Sequence, residues 1–295
     1  MCLNYRCSTM ALLTQNSELK PHGIWNWTIP AWYTTLADGT RFKTCPQAGV
    51  CAQLCYARNG TYLFKNVRAA HDRNLQFVLD TPTEWRDAML FELRKPKFNR
   101  IVGPRDLPYP IEYTMLDDWM QGWARSGLPA IRIHDAGDFF AEWYLDLWLE
   151  IAHANPHLLF YAYTKEVSLF NGYKGVFPPN FRYLFSTGGL EDHLIDGQRH
   201  AEVFPTLEAL ETAGYISQGA NDLLAIMLPT NNIGITANNI AHFKKKMAGK
   251  TFGELTNEKR RGRRDQTQNG IVQEVSLGGA VAPPVRPRGD SSGDC

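Results

Sequence analysis

Apolar and polar positions follow two rhythms along this chain. The run Ile24-Trp25-Asn26-Trp27-Thr28-Ile29 alternates β-type residues and predicts a first strand over 24–30. A turn follows at Asp38-Gly39, and Pro46 and Gly49 predict a loop. The rhythm then changes. Val67, Ala70, His71, Asn74, Leu75 and Val78 recur at helical spacing and predict a helix over 65–79, with His71 and Asn74 as polar positions on an apolar stripe. A second helix opens at Thr81-Pro82-Thr83-Glu84. Thr81 is its expected N-cap, Pro82 its first residue, and Glu84 closes a capping box. Trp85, Met89 and Leu93 share one face of it. Pro96, Pro104, Pro108 and Pro110 predict loop over 95–112, with a short strand at Arg100–Val102.

The middle of the chain repeats a strand–helix alternation. Strands are predicted at Ala130–His134, Leu158–Tyr163, Phe181–Phe185, Leu223–Leu228 and Ile233–Thr236. An amphipathic helix over 141–153 carries Tyr144, Leu147, Trp148 and Ile151 on one face, and Asn155-Pro156 ends it. Alternation of this kind predicts an α/β fold with a parallel sheet, a complete or partial (β/α) TIM-like barrel with the cysteine-bearing loop after its first strand. The expected organisation is an N-terminal arm (1–23), a catalytic domain (24–243), a basic extension (244–274) and a disordered tail (275–295).

Composition narrows this picture only a little. The 295 residues are 44% hydrophobic with net charge +1, enough for one large core and too balanced to name a partner. No long apolar run predicts a membrane span, and the first twenty residues carry no secretory pattern, so a cytoplasmic location is expected.

The cysteines change the picture most. Cys2, Cys7 and Cys295 lie near the termini and are not expected to be ligands. Cys45, Cys51 and Cys55 stand together as C-x5-C-x3-C. In a chain that is neither short nor cysteine-dense, such clustering points to metal or redox chemistry rather than disulfides. A closed zinc site would need a fourth ligand from elsewhere. A four-iron cluster held by three thiolates would leave one iron open to a ligand.

Further candidates sit at predicted strand ends, where the loops of a parallel sheet form the active face. His134, Asp135 and Asp138 follow one strand and offer proton transfer or cosubstrate binding, although Asp138 is also placed to cap the helix at 141 and Asp135 to stabilise the turn. Lys165 follows Thr164 at the end of the next and offers a cation for carboxylate or phosphate. Ser186, Thr187, Gly188 and Gly189 follow a third and offer backbone N–H groups to a cofactor. Trp25, Trp27, Tyr56 and Tyr62 could stack on a base. Lys244, Lys245, Lys246, Lys259, Arg260, Arg261, Arg263 and Arg264 form a basic run suited to nucleic-acid phosphates.

The cysteine loop ending in Cys55-Tyr56-Ala57 resembles the cluster loop of radical S-adenosylmethionine enzymes, whose usual spacing is C-x3-C-x2-C with an aromatic beside the last cysteine. Ile131-Arg132-Ile133-His134-Asp135-Ala136-Gly137-Asp138-Phe139-Phe140 followed by Phe160-Tyr161-Ala162-Tyr163-Thr164-Lys165 resembles the phage gene product 88 family, over residues 24–240. Many members of that family have a further C-terminal cysteine cluster, and this chain has the basic run in its place. These resemblances imply a [4Fe-4S] cluster on Cys45, Cys51 and Cys55, S-adenosylmethionine beside it with Tyr56 in contact, and nucleic acid as substrate, DNA rather than RNA, in the host cytoplasm.

Asp135-Ala136-Gly137-Asp138-Phe139-Phe140 is also loosely similar to a segment of guanine transglycosylases, as is Leu228-Pro229-Thr230. That likeness implies exchange of guanine for a 7-deazaguanine base, with Asp135 or Asp222 as nucleophile or base. The position aligned with the transglycosylase aspartate is Ala225 here. A third expectation is a non-enzymatic nucleic-acid-binding protein with a structural zinc.

Overall fold

The structure is a computed structural model that describes residues 11–219, 222–237 and 241–268. In chain order the strands are β1 (Ile24–Trp27), β2 (Tyr33–Thr35), β3 (Arg41–Lys43), β4 (Ala130–Ile133), β5 (Leu159–Thr164), β6 (Phe181–Ser186), β7 (His200–Phe204), β8 (Ile216–Ser217) and β9 (Asn232–Thr236). The helices are α1 (Lys65–Asp80), α2 (Pro82–Leu93), α3 (Pro96–Asn99), α4 (Asp118–Ser126), α5 (Glu142–Ala154), α6 (Val167–Gly172), α7 (Leu207–Thr212), α8 (Asp222–Met227), α9 (Ala241–Met247) and α10 (Phe252–Gln268).

Seven strands form one sheet in the order β1-β4-β5-β6-β7-β9-β8, with every pair parallel. β2 and β3 make a separate antiparallel hairpin between β1 and the cysteine loop. The α/β fold and the parallel sheet are as expected. The complete barrel is not: β1 and β8 end the sheet without pairing to each other, and the sheet does not close.

Burial explains which runs became strands. β5 is buried at nearly every position, as a strand covered on both faces must be. α2 and α5 cover one face through aromatic packing: Trp85 and Trp148 close on Trp27 with ring centroids 5.4 and 6.3 Å away. Trp85, Met89 and Leu93 are fully buried, so the predicted face of α2 is the one that docks.

Several expectations need correction. The predicted strand Leu223–Leu228 falls on a helix, α8 (Asp222–Met227), because a short apolar run buried all round has no period to distinguish the two states. No strand forms at Arg100–Val102, where Ile101 and Val102 are exposed. Thr81 is the N-cap residue of α2 but makes no side-chain cap bond; its hydroxyl lies 3.5 Å from the Phe77 carbonyl at the end of α1. From residue 11 on, the N-terminal arm is irregular but packed: Leu12, Leu13 and Leu19 are core residues, and Thr14 pairs with Asn26 of β1. The basic segment is built in as far as Gln268, as α9 and α10, and residues 269–274 lie outside the described residues. The predicted tail at 275–295 and the terminal Cys2, Cys7 and Cys295 lie outside the described residues.

Candidate functional site

The C-terminal ends of the strands open on one cavity of about 810 Å3. Cys45, Cys51, Cys55 and Tyr56 line it from the loop after β3. His134, Asp135 and Asp138 line it from the exit of β4, Lys165 from β5 and Ser186 from β6. Residues far apart in sequence are thus gathered as the topology implied.

The cysteine loop is fastened to the β6 exit. The Gly188 carbonyl accepts from the N–H groups of Gly49 and Cys51, each at 3.1 Å, and Leu190 N donates to the Gln47 carbonyl at 2.8 Å. This close approach requires glycine: a Cβ on Gly49 would lie 2.7 Å from the Gly188 oxygen. Gly188 has φ +90°, which also favours glycine. The N–H groups of Gly188 and Gly189 donate to Asp192, both at 2.8 Å, and Thr187 N donates to the Ala201 carbonyl. The amides expected to face a cofactor are therefore engaged within the fold, and the segment works as a mount for the cysteine loop.

All three cysteines are free thiols, half-buried as residues. Burial pushes each thiol up, Cys51 to about 11, with Lys165 opposing the shift at Cys51 and Cys55. The Cys45 sulfur accepts from Trp32 N at 3.3 Å. Among the described residues no three His, Cys, Asp or Glu side chains form a group that could hold a metal ion. The donor set nonetheless fits a thiophilic metal or cluster in its chemistry: three soft donors share one cavity with a lysine whose charge offsets thiolate.

Asp138 does not cap α5, whose N-cap is Ala141. Its carboxylate accepts from Phe139 N (2.8 Å), Thr164 Oγ1 (2.7 Å) and Lys165 N (2.9 Å), fastening the β4 exit to the β5 exit. Burial raises its pKa against those hydrogen bonds. Beside it, Glu166 is pushed up to about 9 by burial, with the Asp138 charge adding, and accepts from Gln47 N at 3.0 Å in the cysteine loop. Lys165 Nζ donates to Ser186 Oγ at 2.7 Å. His134 adopts φ +68°, uncommon for a residue with a Cβ. Its Nε2 lies 3.0 Å from Tyr144 Oη, which accepts from Trp27 Nε1, and its Nδ1 is buried without a partner. Burial pushes its pKa down to about 3, so the ring is neutral at physiological pH.

Asp135 belongs to a second network on the same wall. Arg132 Nη1 lies 3.2 Å from Asp135 and 3.1 Å from Asp222. Tyr62 donates to Asp135 Oδ2, Tyr56 to the Asp135 carbonyl, and Tyr161 to Asp222 at 3.1 Å. Of the aromatics near the cysteine loop, Tyr56 and Tyr62 line the cavity, whereas Trp27 is fully buried core and Trp25 packs on Phe98.

α9 and α10 pack over the cysteine loop and line the cavity. Phe243, Met247 and Phe252 pack with Val50 and Leu54 into a small apolar cluster of their own. Glu202 on β7 accepts from Gly253 N at 3.1 Å and fixes the start of α10. Lys244, Lys245, Lys246, Lys259, Arg261 and Arg263 are exposed, Arg260 is half-buried, and Arg264 continues the same helix. Lys259 is lowered by partial burial and by the charges of Arg263 and Lys246, and it feels Cys51. Those three cations therefore gather beside the cysteine loop.

Sequence reasoning missed Arg132, Glu166, Asp192 and Glu202. Arg132 had a signal: a charge between Ile131 and Ile133 in a strand buried on both faces needs a partner. Glu166 and Glu202 had none, because their partners are backbone N–H groups of distant segments, whereas Asp192 binds the nearby Gly188 and Gly189 N–H groups in a turn with no distinctive pattern.

Neither a curated protein nor a solved structure matches this chain. A family model described as gene product 88 matches residues 7–267, which include every strand and nearly all of α10. The chain belongs to the gene product 88 family.

Proposed function

We propose that this protein is an enzyme that modifies nucleic acid, with Cys45, Cys51 and Cys55 holding a [4Fe-4S] cluster and S-adenosylmethionine bound beside it. The observation that carries this reading is the gathering of the three thiols with His134, Asp135, Asp138 and Lys165 around one cavity. The strand order within the sheet, sequential except for β8 and β9, supports reading it as a partial barrel. When bound, the cluster and its cosubstrate supply one-electron chemistry.

The protein's own residues do the rest. The Gly188 carbonyl and Glu166 hold the cysteine loop in place through its N–H groups. Lys165 offsets negative charge at the thiolates. Because burial keeps the free thiols protonated, loading releases protons and is favoured by higher pH. Neutral His134 offers Nδ1 as a proton acceptor or donor at the cavity wall. Lys246, Lys259 and Arg263 hold phosphates at the mouth.

The test is metal and sulfide content with a visible spectrum on protein purified without air. About four iron and four sulfide per chain, lost in Cys51→Ala, is the expected result. About one zinc per chain without iron overturns the radical reading and supports a structural metal. One observation favours base exchange as a second reading: Asp135 and Asp222, the two carboxylates it needs, share the cavity. Under that reading Asp135→Ala abolishes base incorporation and leaves DNA binding intact, and unchanged incorporation overturns it.

A further inference from the structure

Two buried carboxylates share one cation in this cavity. Arg132 is the only cation in ion-pair contact with Asp135 or Asp222 among the described residues, and a single nitrogen, Nη1, serves both. Among the described residues, the remaining partners of these carboxylates are neutral: hydroxyls of Tyr56, Tyr62, Tyr161 and Tyr163, and the Gln218 amide. With both carboxylates ionised the group carries one uncompensated negative charge away from bulk water, where it is costly.

Next to it is a second, independent feature. Asn26 stands directly opposite Arg132 across the β1–β4 ladder. It is 4% exposed, lines the same cavity, and its Oδ1 has no hydrogen-bond partner. Buried polar atoms are rarely left unpaired, and a ligand donor is a ready explanation for one that lines a cavity. Tyr62 and Tyr163 add aromatic lining beside the charge.

We infer that Asn26, Asp135 and Asp222 form a subsite for a nitrogen group rich in N–H donors, an ammonium or an amidine-type edge. Such a group supplies the missing positive charge or its hydrogen-bond equivalent, and it satisfies the Asn26 acceptor. Arg132 positions the two carboxylates and does not itself need to touch the ligand. Tyr56 joins this subsite to the cysteine loop, since it follows Cys55 in sequence and its hydroxyl contacts Asp135 and Arg132. A group held here thus sits within one residue's reach of the thiols. The inference rests on reading the cavity as the substrate site; it does not require the cluster.

The donor group has two sources, a nucleobase edge or an aliphatic amine, and calorimetric titration separates them. The full chain is titrated with cytidine, adenosine, guanosine, uridine and n-butylammonium, and iron is measured on the same samples. Binding of an amino-bearing nucleoside at least tenfold tighter than uridine assigns a base edge, and binding of butylammonium alone assigns an aliphatic amine. Either is expected to weaken at least tenfold in both Asp135→Asn and Asp222→Asn, with Asn26→Ala as a third variant that leaves the ion pairs intact. No binding by any probe, or binding unchanged in the variants that retain the native circular dichroism, overturns the subsite. Iron without binding removes the subsite and leaves the cluster, whereas binding without iron does the reverse.

Discussion

At the scale of single residues, carboxylates hold this site together by accepting from backbone N–H groups of other loops. Glu202 shows the energetic consequence. Burial raises its pKa from 4.5 to about 7. The folded protein therefore holds this proton more tightly than the unfolded chain does. Its contribution is fully present below pH 4.5 and is lost as pH rises through about 7. The loss amounts to about 3 kcal/mol at most. Glu202→Gln removes that titration, so thermal melts of the variant should fall less than wild type between pH 5 and pH 8. An equal fall in both would show that Glu202 is not the group responsible. The cysteines were legible because their spacing is a local property. The cap role offered for Asp138 fails because its position before a helix is local, while its partners Thr164 and Lys165 are supplied by the next strand.

At the scale of elements, the longer strands and helices were legible alike: β1, β4, β5, β6 and β9 lie where strands were predicted, and α1, α2 and α5 where helices were. α1 and α5 follow their apolar stripes to within a residue of the predicted ends. β7 and β8 went unseen, since Ile216–Ser217 is too short to show a period and His200–Phe204 mixes charged and apolar residues. Capping supplies a direct comparison. Asp117 accepts from Met120 N at 3.0 Å at the start of α4, whereas Thr81 makes no such bond. Asp117→Ala should cost about 1 kcal/mol in urea unfolding, and Thr81→Ala clearly less. Comparable losses would mean that Thr81 caps its helix in solution. The docking of α10 is testable in the same way. Phe252→Ala should cost about 3 kcal/mol and speed amide exchange in α9 and α10, with β5 still protected. Uniform loosening of the sheet would count against a separate docking step.

At the scale of the whole molecule, the near-neutral charge conceals an asymmetry. The cations of α9 and α10 gather on the helices that line the cavity, so a polyanion held there lies over the cysteine loop. Substituting Lys246 and Lys259 together by alanine should weaken DNA binding for all sequences and lower the slope of log affinity against log salt by about two. A slope unchanged within error would place the phosphates elsewhere. No helix among the described residues is long and apolar enough to cross a membrane.

The route of the chain through this site also sets an order of events. Cys45, Cys51 and Cys55 leave the ribosome early, but the carbonyl that clasps their loop belongs to Gly188, and the helices that cover it begin at Ala241. Synthesis runs from the N-terminus at a finite rate. The thiols are therefore translated first, clasped only once β6 exists, and covered last. The nascent chain passes through a period in which the loop is complete and its cover has yet to be made, and that period is an opening for delivery of the cluster that the proposed function requires.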